Sequence, residues 1–239
     1  MLNGNEATLS MLVQYGINLD DGAEDHLGST ALGQAIVGRF VERVRLLISL
    51  GADCSDERFD TVDSQTPLLL ATKVCQPEIV GILLGQPGVS PNFLPKARGS
   101  CSHHTHTPLT MAVADLDKKH RHKHFIPLDL YDAFRDAGEK PQDLPTGDQV
   151  VKVLECLLQP QADPNLMSTN GRTPLVTLLS VPDMVNMIGW LETLLQHGAS
   201  PNLADHTDED CLQYSENCLQ YPLKDGYHSA MVRRRAASE

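Results

Sequence analysis

Gly171-Arg172-Thr173-Pro174-Leu175, followed by Leu194-Leu195-Gln196-His197-Gly198-Ala199-Ser200-Pro201-Asn202, is the stretch on which the fold turns. Thr173 can offer its hydroxyl to an orphan backbone N–H at a helix start. Pro174 then stands at the first helical position, where a missing N–H costs nothing and the fixed φ suits a helix. Leu175, Leu178 and Leu179 follow the i, i+3, i+4 spacing of a buried face. A second apolar helix ends at Leu194-Leu195, and Gly198 supplies the left-handed residue that closes it. One such pair cannot bury its own apolar stripe. It requires neighbours of the same kind, as in a solenoid.

The same pair of signals recurs along the chain. Openings stand at Thr30-Ala31-Leu32, Thr66-Pro67-Leu68, Thr107-Pro108-Leu109 and Thr173-Pro174-Leu175, with intervals of 36, 41 and 66 residues. Closings stand at Leu12 to Gly16, Leu47 to Asp53, Leu83 to Gly88, Leu157 to Asp163 and Leu194 to Ala199. Openings and closings alternate, as a tandem array requires.

This pattern resembles the ankyrin repeat family, with its period of about 33 residues and its Thr-Pro-Leu-His-x-Ala opening. The resemblance covers residues 5–205 and implies an all-α fold: an ankyrin-like solenoid of stacked helix-turn-helix units with protruding hairpin loops. Each copy is degenerate. Gly33, Leu69, Thr110 and Val176 stand where the family has His, while Ala71 and Ala112 are retained. The family's Gly-His between the helices is missing, with Gln76-Pro77-Glu78 and Pro182-Asp183 in its place.

The expected organisation is a partial repeat over 1–25, about four repeats over 26–205 with an insertion at 116–146, and a degenerate capping segment with a disordered tail over 206–239. Residues 1–20 read as a second helix without its first, with Ala7, Leu9, Leu12 and Val13 as its stripe. That favours a fragment of a longer array over a cropped terminal repeat. The helix from Val41 to Leu50 places Val41, Val44, Leu47 and Ile48 inward and Glu42, Arg43 and Arg45 outward. Thr107 opens a helix whose partner is deferred to Gly147 to Leu158. The segment between holds the basic run Lys118 to His124 and a possible short helix bearing Leu128, Leu130, Tyr131 and Phe134. Trp190 is expected in the core.

Composition narrows the function. A formal charge of −12 opposes non-specific nucleic-acid binding, which depends on Lys and Arg neutralising phosphates. The six cysteines (54, 75, 101, 156, 211, 218) lack a tight spacing pattern, which favours a reduced, intracellular and cytoplasmic setting. No signal peptide or membrane-spanning run is read, so no membrane partner is expected. No P-loop, G-x-S-x-G or H-E-x-x-H is present, and Asp208-Glu209-Asp210 has no nucleophile or pocket beside it. The chain is therefore read as non-enzymatic, with no cofactor.

Three other constellations have bland readings that prevail. Cys101, His103, His104 and His106 with His120, His122 and His124 offer zinc-ligand types. Their alternating spacing, however, fits a solvated histidine-rich finger better. Arg233-Arg234-Arg235 reads as a solvated basic end rather than an import signal. Asn92, Asn165 and Asn202 each follow a Leu by eight positions. The family resemblance raises asparaginyl hydroxylation there, and capping of the local turn is the simpler reading.

The resemblance implies a protein-binding module, a scaffold or adaptor, acting as a monomer or as part of a larger chain. Its partner would meet a concave face made by first helices and hairpin tips. Register from each opening Thr assigns Val62, Asp63, Gln65, Lys73 and Val74 in one unit. It assigns His103, His104, His106, Ala114 and Asp115 in the next, and Thr169, Asn170, Arg172, Ser180 and Val181 in the last. The alternatives are an ankyrin segment that positions substrate in a larger enzyme or signalling protein, and a zinc-dependent module built on the His-rich insertion.

Overall fold

The computed structural model describes residues 3–21, 30–55, 66–94, 106–114, 147–159, 162–180, 187–201 and 203. Among them every regular element is a helix: α1 Asn3–Gln14, α2 Ala31–Val37, α3 Val41–Ser49, α4 Pro67–Lys73, α5 Pro77–Leu84, α6 Pro108–Ala114, α7 Gly147–Leu158, α8 Pro174–Leu179 and α9 Met187–Gln196. This is the all-α helix-pair architecture expected from the alternating signals.

The opening motif works as its chemistry requires. Thr30, Thr66 and Thr173 hold extended backbone, and each Oγ1 accepts from the N–H three residues on: Gly33 at 3.1 Å, Leu69 at 3.2 Å and Val176 at 3.2 Å. Thr107 does the same for Thr110 at 3.1 Å. Proline occupies the first turn of α4 and α8, where no donor is lost.

The closing motif is equally regular. The N–H of Ala52 reaches back to the carbonyl of Leu47 at 3.0 Å, Ala162 to Leu157 at 3.2 Å and Ala199 to Leu194 at 3.0 Å. These are the six-to-one bonds of a Schellman closure, which needs a left-handed residue just past the helix. Gly51 and Gly198, both at φ +94°, provide it.

The turn between the two helices of a unit has the same closure without glycine. Phe40 N–H donates to Ala35 O at 3.0 Å and Gln76 N–H to Ala71 O at 3.2 Å. The left-handed residues there are Arg39 (φ 59°) and Cys75 (φ 53°). The family's glycine position thus falls on Cys75, one residue before the Gln76 to which the sequence reading assigned it.

The chain divides into two compact units, the first running through Ser90 in this part of the chain and the second beginning at Pro91. In the first, α2 packs on α3 and α4 on α5, while α2 stacks on α4 and α3 on α5. Leu32, Ile36, Leu68, Leu69, Ile79 and Leu83 form its centre, all essentially solvent-free. In the second, α6 packs on α7 and α8 on α9, with α6 stacked on α8 and α7 on α9. Leu109, Leu154, Leu157, Leu175, Leu178 and Leu191 are buried there, and Trp190 joins this core. On α3, Val44 and Leu47 are buried and Glu42, Arg43 and Arg45 face solvent.

α1 departs from expectation. Ala7 and Leu12 are exposed, and Leu9 and Val13 are half-buried, so the stripe read there is not a buried face.

Candidate functional site

The most fully braced of the register-assigned segments described is the hairpin tip before α8. Ser168 N–H donates to Arg172 O at 3.0 Å, and Gly171 N–H donates to Ser168 O at 2.9 Å. With Gly171 at φ 74°, this is a tight turn followed by a left-handed residue. Asn170 locks it, its Oδ1 accepting from the Ser168 hydroxyl and from Arg172 N–H at 3.1 Å. The Ser168 hydroxyl also reaches Arg172 O at 3.1 Å. Thr169 is exposed at the tip, and Asn170 and Arg172 are half-buried. Ser180 caps the far end of α8, its hydroxyl donating to Thr177 O at 2.8 Å. The last unit therefore holds Thr169, Asn170, Arg172 and Ser180 on one short, internally braced segment.

The other register-assigned positions divide. Lys73 is half-buried in the last turn of α4. Ala114 is half-buried at the end of α6. His106 is half-buried and its Nδ1 is shielded from solvent. Val74 is a correction: it is 2 % exposed, because the residue that ends α4 turns its side chain into the core. It is not available to a partner. Val62, Asp63, Gln65, His103, His104, Asp115 and Val181 lie outside the described residues. So do Cys101, His120, His122, His124, Asn202, the segment 116–146 and the basic tail. Among the described residues no group of His, Cys, Asp or Glu is arranged to hold a metal.

The loop carboxamides do something that the sequence reading missed. The side chains of Asn92 and Asn165 reach into a later loop. Asn92 Oδ1 accepts from Asp163 N–H at 2.6 Å, and Asn165 Oδ1 accepts from Ser200 N–H at 2.7 Å, each in the following loop. Asn165 Nδ2 also donates to Gly198 O at 3.1 Å. In the first unit Asp20 fills the same role, accepting from Asp53 N–H at 2.8 Å. Local capping belongs to the residue two positions earlier. Asn18 takes Asp20 N–H, Asp53 takes Ser55 N–H and Asp163 takes Asn165 N–H. The signal was present in the chain: counting from each closing Leu puts Asp20, Asn92 and Asn165 at nearly one register, with Asp20 hidden because it is not Asn.

Cys54 and Cys156 are held in the protonated form by their surroundings. Cys54, Cys75 and Cys156 are in no disulfide bond. Burial, helped by Asp53 and Asp20, pushes Cys54 up to about 11. Burial, and then Glu155, raises Cys156. A thiol held protonated is a poor nucleophile and a poor metal ligand.

Comparison with known proteins agrees with this geometry. Residues 1–95 match the family model for ankyrin repeats, in three copies. No curated protein matches the chain. Among solved structures, an ankyrin repeat domain from Acinetobacter baumannii is similar, with 18% sequence identity and a TM-score of 0.68. The match covers 98% of this chain and 94% of that one. At that identity it shows the fold alone. The family match stops before the fullest copy of the opening motif, at 171–175, yet the caps and closures there repeat those of the first unit. No helix among the described residues is long and apolar enough to cross a membrane. Residues 1–95 thus match ankyrin repeats, and the fold of the chain is that of an ankyrin repeat domain.

Proposed function

We propose that the chain is a non-enzymatic scaffold or adaptor that binds a partner protein through first-helix ends and hairpin tips. Ankyrin repeats in general serve protein–protein interaction, and the braced tip at 168–172 supports that reading most directly. Its backbone is fixed by four hydrogen bonds between Ser168, Asn170, Gly171 and Arg172, while Thr169 remains exposed. A preformed tip loses little conformational entropy on binding, so its contacts convert efficiently into affinity. Lys73 on α4 and Arg172 before α8 contribute cationic contacts within their own units. The described thiols of Cys54, Cys75 and Cys156, in no disulfide, fit a reducing, intracellular setting.

The test is affinity capture with the intact chain beside a variant in which Gln65, Lys73, His104, His106 and Arg172 are changed to Ala. Loss of a specific partner from the variant, with an unchanged melt, is the expected result. A partner set identical for both proteins would remove these positions from the interface.

A further inference from the structure

The dipeptide Asn-Gly stands in this chain at 3–4 and at 170–171. In Asn-Gly the carboxamide is open to attack by the next backbone nitrogen, because glycine puts no side chain in the way. The first copy lies in the opening turn of α1. The second is the hairpin tip before α8, where the structure fixes both reacting groups.

The nitrogen of Gly171 is the nucleophile, and its N–H donates to Ser168 O at 2.9 Å. Cγ of Asn170 is the electrophile, and its Oδ1 accepts from the Ser168 hydroxyl and from Arg172 N–H at 3.1 Å. Ser168 also ties the flanking main chain, reaching Arg172 O with its N–H at 3.0 Å and its hydroxyl at 3.1 Å. Ring closure requires Gly171 to give up its N–H proton and the Asn170 Cα–C bond to turn the nitrogen onto Cγ. Neither happens while these bonds stand. The two donors on Oδ1 would stabilise a developing oxyanion, but only for a nitrogen already within reach. We infer that Asn170 is a spontaneous modification site, converting to aspartate and iso-aspartate at a rate set by opening of the 168–172 tip.

In the opened tip, the Gly171 nitrogen bonds to Cγ and the Cγ–Nδ2 bond breaks. Nδ2 leaves as ammonia with the proton from Gly171, and a succinimide remains. Water then opens the ring, its proton returning to the Gly171 nitrogen. Addition at Cγ breaks the new bond and gives aspartate. Addition at the main-chain carbonyl of Asn170 breaks the original peptide bond and gives iso-aspartate, with the main chain routed through Cβ and Cγ. The two products differ in consequence. The bonds described at Asn170 use Oδ1, and a carboxylate accepts the same two. The aspartate product therefore keeps the turn and adds a negative charge beside exposed Thr169. Iso-aspartate lengthens the chain between Ser168 and Arg172 and breaks their pairing. This chemistry needs no partner, so its failure leaves the reading above untouched.

The test incubates the intact chain beside a linear peptide of residues 165–177 at neutral pH. Conversion of Asn170 is followed by peptide mapping, with iso-aspartate scored by enzymatic methylation. Hydrogen exchange is measured at the Arg172 amide, which the same opening releases. The intact chain should convert at least about tenfold more slowly than the peptide, and the slowing should match the Arg172 protection within about tenfold, as for a reaction confined to the locally opened state. Ser168→Ala should speed conversion and Arg172 exchange together. Conversion at the peptide's rate would overturn the inference. So would a rate more than about tenfold away, in either direction, from the one that the Arg172 protection sets. A Ser168→Ala chain that changes neither rate, or one without the other, would overturn it as well.

Discussion

Threonine at a helix start is the residue on which this array depends. Its hydroxyl satisfies one backbone donor, and its extended backbone sets the angle at which the hairpin tip enters the helix. That role was legible in sequence because Thr-Pro-Leu leaves few alternatives. The conformation of Arg39 was not legible, because nothing in a lone arginine announces a positive φ. A non-glycine residue there costs about 1–2 kcal/mol, against about 0.5–1 kcal/mol for the greater unfolded-state freedom of glycine. Arg39→Gly should therefore stabilise the protein by roughly 0.5–1 kcal/mol, read as a rise in denaturation midpoint. Cys54 supplies a pH test. Its thiol is raised in the folded state to about 11, from an ordinary value of 9.0. The stability linked to that proton is fully present below pH 9.0 and declines as pH rises through about 11. Melting temperature should fall over that window, and less so in Cys54→Ala. Alkylation of Cys54 at pH 8 should require unfolding.

Helices were legible as pairs rather than singly. α2, α4, α6 and α8 are only six or seven residues long, too short to persist alone. Their existence follows from a cap at one end and a partner at their side. The distant pairing of α6 with α7 was readable because the closing at Leu157 had no other opening to serve. The exposure of α1 was not, because a stripe in sequence does not say whether anything lies against it. Val74 was misjudged for a related reason: a register counted from Thr66 cannot show which way a helix-terminal side chain turns. The division between packing and recognition can be tested at α8. Leu175 is solvent-free, so Leu175→Ala should lose about 2–5 kcal/mol. Arg172 braces the tip through its backbone N–H and carbonyl, so Arg172→Ala should keep the melt and weaken capture of the partner. Equal thermal melts for these two variants would sink the division.

At the scale of the molecule, an array of like units has a stability made of unit terms and nearest-neighbour terms. The side chains of Asp20, Asn92 and Asn165 are such neighbour terms, tying one loop to the next. Asn165 makes two of these bonds, and Asn165→Ala should cost about 1–2 kcal/mol, the sum of two modest hydrogen bonds. Chemical denaturation of the single variant checks it. The repeat architecture was legible from spacing. These ties were not, because each joins residues about one repeat or more apart, and nothing local marks either end. They also give the array a heading. In all three, the earlier loop contributes the side chain and the later loop the backbone N–H. A lesion in one loop is therefore felt downstream. Hydrogen exchange after Asn165→Ala should quicken at the Ser200 amide, 35 residues towards the C-terminus, with no matching change upstream at Asp163.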